Sequence, residues 1–588
     1  MDIFSILSLI GGLVLFLYGM DLMGDSLKKL AGGKLESILA KLTSNRFKGF
    51  LLGFVVTAII QSSSATTVML VGFVNSGLMT LKQTISIIMG TNIGTTVTAW
   101  LLSTAGIDGT GSIIMKLLKP ESFTPVLAVI GFLMIAMAKN DKKKHAGSIL
   151  VGFAILMFGM ETMGASVEGL KENESFKNLL TMFSNNPLMG ILVGTVFTAI
   201  IQSSSASVGV LQALSLSCIV PYSTAIPVVL GMNIGTTITP IISSISGNTD
   251  SKRVAFSCLY IKMIGVAIVT GIFYTLNSFI GFEFLTARAS AFNIAVVHTL
   301  FNIISTIILL PFCSLIEKLA LKTIKGKEGE EEAGAFAVLD ERFLAMPSFA
   351  VEKSKDLVCE MAAVSNESFR IATELMENYD DTLFDKVKKL ESKVDKYEDK
   401  ISTYLVKIAE HQISGNESRV VTELLHCIGD IERISDHALN IAEVAAEIHE
   451  KKIDFSEKAK ADIKIITNAV TEVLDIAIAS LVNDDLDAAR KVEPLEQVID
   501  RLKRKIKNGH ISRLRQGDCT MELGFILSDL LTNYERIADH CSNIAVCFLE
   551  MSHDSFETHE YLNNLKSGGE ETEFKEMYQQ YKAKYYIQ

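Results

Sequence analysis

The sequence predicts an all-α protein: a polytopic membrane domain with inverted repeats and two re-entrant hairpins, followed by a soluble bundle of six helices in two three-helix repeats. Residues 1–320 carry 20 Lys and Arg against 14 Asp and Glu, whereas residues 321–588 carry 35 against 52. Apolar runs long enough to cross a bilayer lie in the first part. Each part also contains an internal duplication, which indicates repeated helical units.

The domain boundaries follow these changes in composition. We predict a transmembrane domain at 1–320, a charged linker at 321–338, a helical domain at 339–550 and a tail at 551–588 without an assigned role. The N-terminus has an acidic Asp2 and no basic segment, so its apolar run is predicted to be an uncleaved first span. The eight cysteines form no CxxC pair, which predicts reduced thiols instead of disulfides or a zinc site.

The first duplication joins two polar motifs. TAIIQSSSATT at 57–67 returns as TAIIQSSSASV at 198–208, and GTNIGTT at 90–96 returns as GMNIGTT at 231–237, both at an offset of 141 residues. Repeat 1 is placed at about 5–138 and repeat 2 at about 147–312. Internal repeats of this kind are typical of secondary transporters.

The distribution of basic residues predicts that the repeats are inverted. The loop at 24–48 is rich in Lys and Arg, whereas the equivalent loop at 166–190 is mainly acidic. Because basic loops face the cytoplasm, the two equivalent loops lie on opposite sides of the membrane. The predicted full spans lie near 3–23, 83–101, 122–138, 147–165, 225–245, 253–275 and 290–312.

The stretches at 49–79 and 190–220 are too rich in Gly, Ser and Asn for simple pairs of spans. We interpret each as a re-entrant hairpin with QSSS at its tip, so that the tips meet near the midplane. Helix N-termini and hydroxyl groups suit an oxyanion, and carbonyl, amide and hydroxyl oxygens suit a monovalent cation. Simple packing by small polar residues is the alternative, and the matched duplication disfavours it.

The paired QSSS and NIGTT elements resemble those of the sodium–phosphate cotransporters over about 5–315. The resemblance implies sodium-coupled transport of inorganic phosphate; spacing alone predicts only a site for an anion and a cation. The implied substrate and sodium site consists of Gln61, Ser62, Ser63, Ser64, Thr66, Asn92, Thr95, Thr96, Gln202, Ser203, Ser204, Ser205, Asn233, Thr236 and Thr237.

One departure concerns charge inside a span. AVVHTLFN matches a family element through His298 and Asn302, but Cys258 and Lys262 occupy the related positions of the preceding span. An ionisable residue within a span indicates function. Our hypothesis is that Lys262 supplies a fixed positive charge to the cavity, in place of a sodium ion. Packing against a polar neighbour, or snorkelling, is the alternative. For His298 we favour a structural hydrogen bond over ligand binding.

The second part predicts six helices near 348–377, 381–411, 415–447, 457–483, 487–511 and 515–550. IERISDHALNIAE at 431–443 returns as YERIADHCSNIAV at 534–546. Acidic residues four apart share a helix face. In two of these pairs an interposed arginine, Arg433 or Arg536, can relieve the repulsion. The alternative is that carboxylates on facing helices ligate a divalent or iron-type metal. The pairs are Glu391/Asp395, Glu432/Asp436, Glu496/Asp500 and Glu535/Asp539.

The repeated E-R-I-x-D-H motif resembles PhoU-like regulators of phosphate transport over about 340–550. The resemblance implies a cytoplasmic six-helix bundle that can bind metal and tune the transporter. Together the two parts predict a sodium–phosphate symporter of a bacterial-type plasma (inner) membrane, working by alternating access, with a cytoplasmic C-terminal domain. Its partners are phosphate and membrane lipid; a homodimer is left open.

Two kinds of alternative function stay open, and two others are disfavoured. A phosphate exporter, or a carrier of another oxyanion, uses the same kind of site. A membrane-anchored phosphate-signalling protein without transport belongs to a different class. An enzyme is disfavoured because the sequence has no P-loop and no nucleophile–base motif, and nucleic-acid binding is disfavoured by the acidic second part.

Overall fold

The computed structural model describes residues 3–31, 45–106, 120–168, 182, 186–217, 220–325, 335–411, 413–517, 519–552 and 571–587. The chain divides into two compact units, Met1–Met346 and Pro347–Gln588. Within the described ranges the chain forms helices and a single isolated bridge but no strand, which confirms the all-α prediction.

The first unit is built from helices of very different lengths. They are α1 (Ile3–Ala31), α2 (Arg46–Ile60), α3 (Ser63–Asn75), α4 (Leu81–Gly94), α5 (Thr96–Ser103), α6 (Pro120–Met137), α7 (Asp141–Ser166), α8 (Pro187–Ile201), α9 (Ser204–Ser217), α10 (Tyr222–Gly235), α11 (Ile238–Ser244), α12 (Thr249–Ile280), α13 (Ala291–Leu309) and α14 (Cys313–Thr323).

Long apolar helical stretches occur at most of the predicted spans of this unit. Those that are long and apolar enough to cross a membrane are Ile3–Leu30, Leu81–Gly106, Asp141–Ser166, Tyr222–Ser244, Thr249–Ile280 and Ala291–Thr323. The span predicted near 122–138 is a shorter apolar helix, α6. The basic and acidic loops used to orient the repeats fall largely at 32–44 and 169–185, which lie almost wholly outside the described residues.

The inversion of the repeats is visible where α1 packs against α7. A Cβ atom on Gly19 would lie 2.6 Å from the carbonyl oxygen of Gly152, and one on Gly12 would lie 3.0 Å from that of Gly159. Small residues allow helices in membranes to approach this closely. Gly12 and Gly19 correspond in the repeat to Gly152 and Gly159, so each glycine meets the counterpart of the other. Equivalent helices therefore run antiparallel, as an inverted repeat requires.

A second glycine contact occurs once in each repeat. A Cβ atom on Gly90 would overlap the carbonyl oxygen of Phe50, and one on Gly231 would overlap that of Ile191. These contacts join α2 to α4 and α8 to α10. Because the glycines sit one turn before the two NIGTT ends, they fix the position of both polar motifs against the helices that carry QSSS.

The second unit is a bundle of long antiparallel helices with short additional segments. Its helices are α15 (Pro347–Glu377), α16 (Asp381–Ala409), α17 (Gly415–Lys451), α18 (Glu457–Asn483), the short α19 (Leu486–Ala489), α20 (Val492–Gln516), α21 (Met521–Ser552) and α22 (Glu571–Lys584). The six long helices confirm the predicted pattern. α18 also has the length and composition of a membrane span, but Ile466, Val470 and Val473 are fully buried in the bundle.

The bundle has its own internal symmetry. His437 Nδ1 lies 2.8 Å from Asn533 Oδ1, and His540 Nδ1 lies 2.8 Å from Asp430 Oδ1. The sequence repeat makes His437 equivalent to His540 and Asp430 equivalent to Asn533. The two contacts are therefore reciprocal, and they join α17 to α21 around an approximate two-fold axis.

The C-terminal tail, which has no predicted role, contains the helix α22. Lys584 Nζ lies 2.7 Å from a carboxylate oxygen of Glu472, and the ammonium group of Lys505 lies 4.5 Å above the ring of Tyr586. Ile587 is buried. The tail is thereby attached to α18 and α20 of the second three-helix repeat.

Candidate transport site and acidic clusters

Both QSSS motifs break a helix in the same way. Gln61, between α2 and α3, has φ of 61°, and Gln202, between α8 and α9, has φ of 62°. A positive φ is uncommon for a residue other than glycine. The backbone N–H of Gln61 donates to the Thr57 carbonyl at 2.8 Å, and that of Gln202 to the Thr198 carbonyl at 2.7 Å. The broken helices agree with the predicted hairpins; their re-entrant insertion into a membrane stays a prediction.

The polar groups of the first break are satisfied inside the protein. Thr98 Oγ1 donates to Gln61 Oε1 at 2.7 Å, and Thr66 Oγ1 donates to the Ser62 carbonyl at 2.9 Å. Ser62 Oγ caps α3 by accepting from the Ala65 N–H at 3.2 Å. An unpaired buried polar group would cost roughly 2–7 kcal/mol on transfer scales, so these partners explain how an apolar region accommodates the motif.

The structure brings the two breaks together. Ser64 Oγ lies 3.4 Å from the carbonyl oxygen of Gln202. In the second break Ser203 Oγ accepts from the Ala206 N–H at 3.2 Å, and Ser204 and Ser205 are both buried. The N-termini of α3 and α9 thus begin close to each other; that they are the tips of re-entrant hairpins stays a prediction.

The NIGTT stretches also mark helix ends. α4 ends at Gly94 and α10 ends at Gly235, and the following threonines donate their hydroxyl protons to nearby carbonyl groups. Thr95 Oγ1 bonds the Thr91 carbonyl at 2.8 Å, and Thr236 Oγ1 bonds the Asn233 carbonyl at 2.7 Å. A hydroxyl that has donated its proton keeps its lone pairs for a cation or a donor. Asn92, Thr96, Asn233 and Thr237 lie beside them and are largely buried.

Lys262 is a buried ammonium group at the second NIGTT stretch. Its side chain is 7% exposed, and Nζ donates a hydrogen bond to Thr236 Oγ1. His298 is 1% exposed, and neither ring nitrogen has a hydrogen-bond partner among the described residues. The hydrogen bond at His298 is accepted by its backbone carbonyl, from Asn302 Nδ2 at 2.8 Å. The predicted structural hydrogen bond of the imidazole is thus not seen in the described part of the chain.

Comparison with known proteins matches both units to described families. The Na+/Pi-cotransporter family matches residues 15–165 and 155–288, and the PhoU domain matches residues 358–445 and 463–547. "Uncharacterized protein YqeW" of Bacillus subtilis is 30% identical over 315 residues, which cover 54% of this chain and 97% of YqeW. The chain belongs to the Na+/Pi-cotransporter family. It is a multi-pass membrane protein that belongs to a family of phosphate transporters, and it has a C-terminal PhoU domain.

Two further relatives of this Na+/Pi-cotransporter have names that refer to phosphate. "Putative inorganic phosphate export protein YjbB" of Escherichia coli is 21% identical over 571 residues, covering 95% of this chain and 100% of YjbB. "Sodium-dependent phosphate transport protein 2A" of Rattus norvegicus is 41% identical over 93 residues, covering 15% of this chain and 14% of the rat protein.

The PhoU domain of the cotransporter gathers carboxylates in its first repeat. Glu391, Asp395 and Asp436 each have a carboxylate oxygen within 4.8 Å of the others. Burial and the charges of Asp395 and Asp436 raise the pKa of Glu391, and burial and Asp436 raise that of Asp395. Burial and the adjacent Asp436 raise the pKa of Glu432 to about 7. Arg433 opposes this shift without cancelling it, so the carboxylates of this repeat lack enough positive charge beside them.

The second repeat is arranged differently. Lys503 forms an ion pair with Glu535, and Arg536 NH1 lies 3.4 Å from an oxygen of Asp539. Burial and Glu535 raise the pKa of Asp500, while Arg504 and Lys503 oppose the shift. Among the described residues, Glu496, Asp500, Glu535 and Asp539 do not form a carboxylate group with metal-ligand spacing. Here relief of the repulsion by Arg536, together with the ion pair of Lys503, describes the geometry better than metal ligation.

Sequence reasoning missed one element of the first unit. The sequence predicts that residues 339–346 belong to the bundle, but they pack with the transporter unit. Phe343 is fully buried, with its ring 5.4 Å from that of Phe73 on α3, and Asp340 accepts from Asn75 Nδ2 at 2.8 Å. Arg342 NH1 donates to the Ser243 carbonyl at 3.3 Å. The segment therefore ties α3 to α11, and the first bundle helix starts at the next residue, Pro347. The apolar residues Phe343, Leu344 and Met346 within a charged stretch were the available signal.

Proposed function

We propose that this chain is a sodium-coupled carrier of inorganic phosphate that works by alternating access. The observation that carries the proposal is the contact between Ser64 and Gln202, because it places two symmetric helix breaks at one location. The N-termini of α3 and α9 present backbone N–H groups and serine hydroxyls there, which suit an oxyanion.

Sodium coupling is supported by the oxygen atoms beside these helix ends. The hydroxyl of Thr95 donates its proton to a carbonyl group, so its lone pairs can coordinate a cation. Exposed carbonyl groups of the broken helices can coordinate one in the same way. The name of the rat relative refers to sodium-dependent phosphate transport. Phosphate is therefore the proposed anion, and sodium is the proposed transported cation.

The test is labelled phosphate flux into proteoliposomes that contain the full chain, with a sodium gradient imposed in either direction. We expect flux that follows the sodium gradient. In Gln61→Ala the flux should fall by at least about tenfold, because the proposed hydrogen bond from the Gln61 amide to the charged phosphate is lost, and such a bond is worth roughly 1.5–3 kcal/mol. Ser148→Ala, at a half-buried serine on α7 whose hydroxyl bonds the Lys144 carbonyl of its own helix, is the control and keeps the flux. Sodium-independent flux, or none, in folded wild type would contradict the proposal.

Export is the second candidate, and two observations favour it. The Escherichia coli relative is named as an exporter and matches 95% of this chain. A phosphate dianion that enters a negative-inside cell opposes about 4.6 kcal/mol per 100 mV, at about 2.3 kcal/mol for each charge. A carrier that moves fewer than two sodium ions with each phosphate dianion therefore exports phosphate more readily than it imports it. Net flux at physiological gradients, measured from both sides of the vesicle, distinguishes the directions.

For the PhoU domain we propose a cytoplasmic location, since the basic loops of the sequence place the chain exit inside, and regulation of the carrier. A divalent cation bound there would be held by Glu391, Asp395 and Asp436, because three carboxylate oxygens within 4.8 Å of one another suit such an ion, and the crowding of negative charge raises the pKa values of Glu391 and Asp395. Its charge would relieve the repulsion among the carboxylates. A chain that ends after Met346, and so keeps the segment at 339–346 that packs with the transporter, would transport at a different rate from the full chain.

A further inference from the structure

The helix α12 contacts polar elements of both repeats. Lys262 Nζ donates to Thr236 Oγ1 in the second NIGTT stretch, while the side chain of Cys258 lies beside Thr67 on α3. Residues four apart lie on the same face of a helix, so Cys258 and Lys262 point the same way. The positive charge of Lys262 therefore lies where the first helix break and the second NIGTT stretch approach one another.

The surroundings of Lys262 provide oxygen atoms but no negative partner. Among the described residues, no carboxylate lies within ion-pair distance of its ammonium group, and the groups that feel its charge are Cys258 and His298. A buried charge is costly unless it is paired or hydrogen-bonded. The ammonium group of Lys262 is bound by a hydroxyl group and has no negative partner. This arrangement is expected if a transported anion supplies the negative charge.

The same position in the first repeat lacks a lysine contact. Thr95 is equivalent to Thr236, and its hydroxyl donates to the Thr91 carbonyl at 2.8 Å. In the described part of the chain no ammonium group donates to Thr95. Both threonines therefore offer lone pairs to a cation. In the second repeat the Lys262 ammonium group already donates to one of these lone pairs, that of Thr236.

We propose that the ammonium group of Lys262 takes the place of a sodium ion at Thr236, so that the second repeat carries its cation covalently while the first repeat binds a mobile one. The inference rests on the proposed sodium-coupled transport. Ammonium and sodium carry the same charge, and both take oxygen ligands. Because Lys262 cannot leave with the phosphate, the carrier moves one cation fewer in each cycle.

The test measures the sodium dependence of phosphate flux for the full chain in proteoliposomes at saturating phosphate. Wild type is compared with Lys262→Gln, which removes the charge and leaves a carbonyl oxygen. We expect the Hill coefficient for sodium to rise by about one in Lys262→Gln, because the number of mobile cation sites sets its upper limit. The net charge moved per phosphate, measured from reversal potentials, should become more positive by about one.

Two controls define the outcome. Lys318→Gln removes the same charge from an exposed position on α14 and should keep the sodium dependence of wild type. Lys262→Arg keeps the charge, so its Hill coefficient for sodium should stay that of wild type even where its maximal flux falls, because the larger side chain fits the buried position less well. An unchanged Hill coefficient in Lys262→Gln would overturn the inference while leaving sodium-coupled transport intact. Absence of sodium-driven flux in folded wild type would overturn the proposed function, and this inference with it.

A second pair of variants gives an answer even if Lys262 cannot be replaced without misfolding. The readout is the sodium-induced rise in the Tm of the purified full chain, which needs no transport. Thr95→Ala should lose most of this rise, because it removes a ligand of the mobile cation, and Thr236→Ala should keep it. An equal loss in both variants would mean that both repeats bind sodium, and would overturn the inference.

Discussion

The two acidic sites of the PhoU domain descend from one sequence repeat, yet they are balanced in different ways. In the first repeat Glu391, Asp395 and Asp436 gather without a sufficient cation. In the second repeat Lys503 pairs with Glu535. The sequence alignment of the repeats explains the change, because Lys503 and Arg504 replace Glu398 and Asp399.

The transporter unit has a comparable asymmetry. Thr95 and Thr236 are equivalent, but only Thr236 receives a hydrogen bond from an ammonium group among the described residues. In each unit, therefore, the second copy of a site contains a lysine and the first copy does not. The comparison teaches that duplication can conserve a helical scaffold while the charge balance of the two copies diverges.

The largest expected effect tests the part that the copies share. Gly90→Ala and Gly231→Ala should each destabilise the transporter by about 3 kcal/mol or more, because the new Cβ would overlap a carbonyl oxygen of a neighbouring helix. The yield of folded protein and its Tm measure the effect. Gly271→Ala, where no atom lies within 4 Å of the new Cβ, is the control. A large loss in one copy only would contradict a shared scaffold.

The next effect tests the difference between the acidic sites. Manganese at 100 times its Kd should stabilise the full chain by about 2.7 kcal/mol. Asp395→Asn should abolish this gain by removing a ligand of the first cluster, whereas Asp500→Asn, the equivalent change in the second repeat, should keep it. Thermal unfolding with manganese and with a chelator measures both. Equal losses would show that the two sites are alike.

A third effect concerns Glu423, whose equivalent in the second repeat is the buried Ile526. Burial raises the pKa of Glu423 to about 7. The folded state therefore retains a proton that the unfolded state releases near pH 4–5. The contribution of Glu423 to the free energy of unfolding falls as pH rises towards about 7, and it stays low above that pH. Glu423→Gln should stabilise the chain by roughly 1–3 kcal/mol at pH 8 and far less at pH 4.

Thermal unfolding of wild type and Glu423→Gln across this pH range measures the difference. Other carboxylates contribute equally to both proteins and cancel. A gain in the stability of Glu423→Gln over wild type at low pH, or a gain that does not change with pH, would contradict the raised pKa of Glu423.

The smallest expected effect converts one copy towards the other. Lys503→Glu restores the residue type of the first repeat and should cost about 1 kcal/mol without metal, since the ion pair with the half-buried Glu535 is lost. It should also add a second divalent-cation binding step in calorimetry. Lys396→Glu, on the exposed side of α16, is the control. If no second step appears, the lysine is not what separates the two sites.

Much of the fold could be predicted because helices and their repeats are local properties of a sequence. Apolar run lengths placed the spans, and the repeated QSSS motif placed both helix breaks. The boundary near 339 could not be predicted in the same way. Phe343 and Asp340 belong to the transporter because of contacts with Phe73 and Asn75, which lie more than 260 residues earlier. Local patterns contain no information about such pairs.

The sequence by itself determined the helices, the two duplications and the family, because period, spacing and motif are written along the chain. The tertiary structure alone decided which polar groups meet. It joined Ser64 to Gln202, directed Lys262 towards Thr236, and separated a carboxylate cluster from its lysine-paired counterpart. These outcomes depend on how distant helices pack, and a buried charge or hydroxyl acquires its role only from the groups that packing places beside it.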